Sequence, residues 1–266
     1  QQRIEKQNIL HLAYGTSSAK SVTVSFWVRS TKTGTYICEL QDAVNDRYNR
    51  GAYTIDAADT WEKKTITFVG DTGGGFGTTN LNATSLDLNF WLMAGSDFSG
   101  GSAVSGWTAT GGGRANGQVN FFDSTSNNWY ITGIQLEVGD TATDFEHRSY
   151  GDELQRCLRY YERWDFPDTG DYSTVLMYNE STSEARGPLV CTVYKRSNPT
   201  FSATASAWDA LSTGSSGTGV SIAATDLEVW GCRLTITKSN STLVDGGASY
   251  LRCLSSGSHI ALDAEL

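Results

Sequence analysis

The sequence predicts an all-β chain: a jelly-roll-like β-sandwich, then a short helix, then a second β-sandwich-like tip domain. Three observations carry this expectation. SVTVSFWVR (21–29) and SLDLNFWLM (85–93) alternate side chains with the two-residue period of a strand. The 28 glycines stand against only 3 prolines amid abundant Ser, Thr and Asn, which suits short strands joined by loops that need positive φ. The stretch from Tyr150 to Tyr161 switches instead to the 3.6-residue period of a helix.

In the 21–29 strand Val22, Val24, Phe26 and Val28 share one side, and Thr23, Ser25, Trp27 and Arg29 the other. Further strands are expected at 34–40, 51–55 and 61–69, each rich in β-branched or aromatic residues and bounded by polar turns. In the 85–93 strand Leu86, Leu88, Phe90 and Leu92 face one way and Asp87, Asn89, Trp91 and Met93 the other. Two glycine-rich stretches, 70–77 and 95–117, read as loops, and Trp107 sits in the second. WYITGIQLEVG (129–139) reads as a closing strand whose irregular Ile131, Ile134 and Leu136 spacing places a bulge near Gly133. These elements bound a first domain at 1–147.

Residues 148–164 are expected to form a linker and helix. Tyr150, Leu154, Cys157, Leu158 and Tyr161 make one stripe, with acidic residues early and Arg159 and Arg163 late, as the helix dipole favours. So short a helix must pack on a domain or on symmetry mates. Residues 165–266 return to short strands, expected near 174–178, 187–194, 200–205, 220–222, 227–237 and 259–266.

The net charge of -9 argues against nucleic acid and anionic membranes as partners, since both demand basic surface. No apolar run approaches the roughly 18–20 residues of a membrane span, so no membrane insertion is expected. The five cysteines lie far apart with no CxxC pair, so zinc and a disulfide framework are not indicated and free thiols are expected. The chain opens with Gln1, Gln2 and Arg3, shows no secretion signal, and without an initiator Met reads as a fragment.

The candidate ligand residues are the outward sets of the two strongest strands. If both lie in one sheet, Trp27, Arg29, Asp87, Asn89 and Trp91 give one face rings beside hydrogen-bonding groups, the mixture sugars require. Cover of Trp27 and Trp91 by a loop, the helix or a neighbouring subunit is the competing reading. Trp107 is either a loop-borne contact or an anchor plugging the sandwich edge. Trp61 and Trp129 begin strands and are assigned to the core. In the tip domain Trp208 is added to the ligand set. No recognised catalytic motif occurs, His11, His147 and His259 lie far apart, and carboxylates such as Asp87, Glu137, Asp144 and Glu146 carry no pairing that sequence can fix. The chain is therefore expected not to be an enzyme. The acidic groups at 42–46 and at Asp165, Asp168 and Asp171 match no EF-hand and read as solvated turns, so no metal or cofactor is expected. The sequons at Asn82, Asn179 and Asn240 would matter only in a eukaryotic secretory pathway.

The run ITGIQLEVGDTATDFEHRSYGDELQRCLRYYER, which begins at Ile131, resembles the junction found in phage tail-fibre and host-recognition proteins. The QLEVG strand end, the A-T-x-F-E-x-R linker and the Y-G-x-E-L-x-x-C-x-R-Y-Y helix stand in that order. Upstream, QNILHLAYGTSSAKSVTVSFWVRSTKTGTY resembles the carbohydrate-binding-module-like jelly roll that precedes the junction in those proteins. The terminal DAEL resembles the end of such fibres, and the resemblance covers about the first 163 residues. It implies a virion protein of a tail or capsid fibre, assembled as a homotrimer in the host cytoplasm, whose distal domains bind bacterial surface polysaccharide or lipopolysaccharide. Leu154, Cys157, Leu158 and Tyr161 are then the expected trimer interface. A spacer without glycan affinity and a polysaccharide depolymerase domain remain the alternatives, because one fold serves all three roles.

Overall fold

The computed structural model describes residues 1–265 apart from 101, 104, 105, 110, 169–171, 205–207, 212–219 and 240–241. Asp171 of the acidic trio and the sequon residue Asn240 lie outside the described residues. The chain divides into two compact units, residues 1–147 and 148–265. Among the described residues no helix is long and apolar enough to cross a membrane.

The first unit contains strands β1 (Gln2–Glu5), β2 (Val22–Ser30), β3 (Gly34–Asp42), β4 (Arg47–Ile55), β5 (Glu62–Phe68), β6 (Thr84–Trp91) and β7 (Trp129–Val138), with one helical turn, α1 (Ser96–Ser99), before β7. They form two antiparallel sheets, ordered β1-β6-β3-β4 and β5-β2-β7. Between the sheets lies the core, where Phe26 meets Tyr53 and Phe90 edge-on, each at 5.1 Å, among Val24, Leu40, Phe68 and Leu86. Burying each such large side chain contributes on the order of 1.5–3 kcal/mol. The expected bulge is present: the β2–β7 register shifts between Ser25 and Trp27, and Gly133 adopts φ 57°.

The second unit opens with helix α2 (Tyr150–Leu158), capped by the Ser149 hydroxyl, which accepts from the Asp152 N–H. Strands β8 (Tyr161–Phe166), β9 (Tyr172–Asn179), β10 (Glu184–Val190), β11 (Thr200–Ala203), β12 (Trp208–Leu211), β13 (Val220–Glu228), β14 (Gly231–Lys238), β15 (Ala248–Cys253) and β16 (Ser258–Asp263) follow. Their sheets are ordered β12-β15-β9-β10-β14-β13 and β11-β16-β8. The fold is thus all-β, with two short α-helices among the described residues. Buried ion pairs stiffen the second unit: Lys195 with Glu162 at 2.7 Å, and Lys238 and Arg252 on Asp209 at 3.0 and 2.8 Å.

Four differences from the sequence expectation have local causes. The helix stops at Leu158 rather than continuing to Trp164, because residues 161–166 pair with β16 from Tyr161↔Asp263 to Phe166↔Ser258. Tyr161 therefore leaves the helical stripe and belongs to a strand. β1 and β12, with four residues each, are too short to show a period. In β15 the sequence ASYLRC lacks the β-branched residues that mark a strand.

Candidate aromatic glycan platform

The two outward sets proposed from sequence do not meet. Trp27 and Arg29 lie on β2, in the three-stranded sheet, whereas Asp87, Asn89 and Trp91 lie on β6, in the four-stranded sheet. Each set points away from the shared core, so they occupy opposite faces of the sandwich.

On the four-stranded side the outer face is covered by Phe98 and residues 111–119. Arg114 reaches down from the latter to Glu39, with Nε to Oε2 at 2.7 Å and Nη2 to Oε1 at 2.6 Å. Its guanidinium lies 3.5 Å from the Tyr48 ring centroid, 5.3 Å from that of Trp91 and 5.5 Å from that of Phe98. Arg50 donates to the Gly113 and Asn116 carbonyls at 3.0 and 2.9 Å, tying the same segment down. Asn89 donates to Glu39 at 3.2 Å. Asp87 is buried and accepts from the Gln1 side chain at 2.8 Å. Burial pushes its carboxyl above the usual range, and the Arg3 charge opposes that shift. Trp91 is thus roofed by protein, the covered alternative.

On the three-stranded side the outer face is open near its β2–β7 bulge. The register sets Lys63, Trp27 and Thr132 in one row, with Arg29 and Tyr130 adjacent in the next. Trp61 immediately precedes β5, whose Glu62 pairs with Val28, and so adjoins the Arg29 end of this face. Three rings of this face meet solvent: Trp27 is 42% exposed, Trp61 43% and Tyr130 49%. Arg29 stacks over Tyr130 at 5.6 Å and donates from Nη2 to Asp59 at 3.2 Å. Gly133 makes the bulge possible, since its left-handed backbone disfavours other residues. A Cβ placed there would contact Trp27 Cδ1 at 3.4 Å and Phe145 Cδ2 at 3.8 Å.

The other half of that face is closed by residues 140–147. Gln135 donates to the Thr143 hydroxyl and the Asp144 carbonyl, each at 3.2 Å, and accepts from the Glu146 N–H at 2.8 Å. Gln135 and Thr143 hold the Glu137 carboxyl below the usual range. Thr143, Asp144 and Glu146 of the linker motif therefore clasp this half of the face.

The remaining sequence candidates fall elsewhere. Trp107 is a loop anchor: its Nε1 donates to the Val69 carbonyl at 2.6 Å and its ring meets Tyr14 edge-on at 5.6 Å. Trp208 is 0% exposed, edge-on to Phe166 at 5.0 Å with Nε1 donating to the Thr204 carbonyl, so it belongs to the core and cannot meet a sugar. No α2 side chain is buried: Leu154 and Cys157 are exposed and Leu158 is half-buried. Among the described residues no group of three His, Cys, Asp or Glu side chains comes together as a metal site. Asp42 closes its own turn by accepting from the Val44 and Asn45 N–H groups. Trp61, assigned from sequence to the core, is exposed instead because it stands just ahead of β5 rather than within it, and sequence reasoning passed over Tyr130. Its period-2 signal was available for Tyr130, but the Gly133 bulge breaks the phase by which it would be read.

No family model matches the chain, and no curated protein matches it. Among solved structures it is similar to native recombinant discoidin II of Dictyostelium discoideum, at 10% identity over 94% of this chain and 76% of that one, with a TM-score of 0.22. The fold and the platform define a two-unit all-β protein with an exposed aromatic face.

Proposed function

We propose that this chain is a non-catalytic glycan-binding protein, and more narrowly the receptor-binding part of a bacteriophage fibre that recognises bacterial surface polysaccharide or lipopolysaccharide. The observation that carries the glycan reading is the open face of Trp27, Trp61 and Tyr130 with Arg29, Asp59 and Lys63 among them. Sugar rings stack their C–H faces on such aromatics while their hydroxyls take the polar groups. The two rows carry no carboxylate of their own, and Asp59 at their edge is engaged by Arg29, whereas glycoside hydrolysis asks for two carboxylates across the bond. The phage assignment rests on the resemblance of the junction run. Assembly as a homotrimer is supported by α2, which leaves Tyr150, Leu154 and Cys157 uncovered within its own unit.

The test is binding of the purified chain to intact bacteria and to their extracted polysaccharides, with Trp27→Ala and Trp61→Ala compared at equal folding. Binding that drops in the folded variants supports the platform. A parent that binds no glycan on a host it is shown to adsorb to would return the chain to the spacer reading. Light scattering expects a trimer, and a monomer at micromolar concentration would remove that part.

A further inference from the structure

We infer that the platform takes an acidic glycan, with Arg29 and Lys63 engaging its anionic group. This rests on the glycan reading above and narrows it to a ligand class. The chain as a whole carries a charge of -9, yet the two open rows gather two cations and no carboxylate of their own, with Asp59 at one edge and Glu137 further along the sheet. Neither cation is fully used by the protein. Arg29 keeps 39% of its side chain exposed while Nη2 is held by Asp59 at 3.2 Å; its Nε is buried without a hydrogen-bond partner. A guanidinium engaged at one corner can turn toward an incoming anion, and a charge-assisted fork is the strongest contact this face offers. Lys63 stands across the strand from Trp27 and forms no ion pair among the described residues; Glu137 is the carboxylate that senses its charge. A sugar stacked on Trp27 therefore has an ammonium on the β5 side and the guanidinium one row along.

Asp59 sharpens the inference, because it competes with the ligand for Arg29. Its removal should strengthen binding, which a merely structural ion pair would not do. Asp59 adopts φ 56°, a conformation that Asn tolerates, so Asp59→Asn keeps the turn.

The experiment is an array of bacterial surface polysaccharides printed as matched pairs, each native acidic polymer beside its carboxyl-reduced or dephosphorylated form. The expected result is binding to the acidic member, weaker by about tenfold or more when the charge is removed. Arg29→Gln and Lys63→Gln should lose a similar factor at unchanged melting temperature, Asp59→Asn should gain affinity, and added salt should weaken binding. Loss on carboxyl reduction identifies a uronate-type ligand, and loss on dephosphorylation a phosphate. Equal binding of charged and neutral members that still depends on Trp27 would overturn the acidic ligand and leave the platform standing. Binding indifferent to Trp27, or none to any member, would remove the platform and this inference together.

Discussion

Arg114 and Glu39 form a two-point ion pair, at 2.6 and 2.7 Å, between residues 111–119 and the sheet beneath them. Both side chains are withdrawn from water, Glu39 completely. Removing one partner strands the other as a buried charge, so Arg114→Met should lower stability by about 3–5 kcal/mol. Urea unfolding measures this. A loss under about 1 kcal/mol would show that other contacts hold the segment. Glycan binding at Trp27 should survive the change, because that ring lies on the opposite sheet.

Gly133 seats the Trp27 row. Gly133→Ala forces a left-handed backbone on a residue with a Cβ, which costs about 1–2 kcal/mol, while the new methyl touches Trp27 at van der Waals distance. Stability should fall by that amount, and affinity for the bound polysaccharide should fall with it. Unaltered unfolding would mean that the bulge relocates.

The thiols should separate into two classes. Cys38, Cys191, Cys232 and Cys253 are buried and Cys157 is exposed. Burial also pushes the Cys232 thiol up to about 12 and raises that of Cys191, so these remain protonated and unreactive. Mass spectrometry after brief alkylation of the native chain should find one modified cysteine, Cys157. If α2 stripes dock in a trimer, the same labelling should slow as concentration rises. A rate independent of concentration would speak against docking through that face.

Asp87 should make stability depend on pH in a stated direction. Its folded pKa lies above the ordinary 3.8, so the native state holds this proton more tightly than the unfolded chain. Its contribution is complete below the ordinary value and is lost as pH rises through the folded one. Asp87→Asn has no such loss, so its advantage in melting temperature over the parent should grow between about pH 3 and pH 7. An advantage that stays constant over that range would refute the assignment.

Much of the fold was legible because alternation is a local property. Val22, Val24, Phe26 and Val28 announce a strand with one buried face, and the structure buries all four. The bulge at Gly133 was legible for the same reason, since it interrupts that period. The helix was readable at its start, since the apolar stripe begins at Tyr150 as the helix does, and misread at its end. Leu158 and Tyr161 fit a helical stripe equally well on paper. Pairing with β16, nearly a hundred residues further along, overrides that spacing.

The candidate site was legible only in part. Alternation alone sends Trp27, Arg29, Asp87, Asn89 and Trp91 outward from their strands, because the pleat fixes the side of each residue. Contacts across the fold decided that β2 and β6 enter different sheets, that Arg114 roofs Trp91, that Trp208 enters a core, that Tyr130 lies beside Arg29 and that Trp61 stays exposed. The physical reason is that a strand's two faces follow from neighbours in the chain, whereas its pairing partners and the segments that cover it come from contacts distant in sequence.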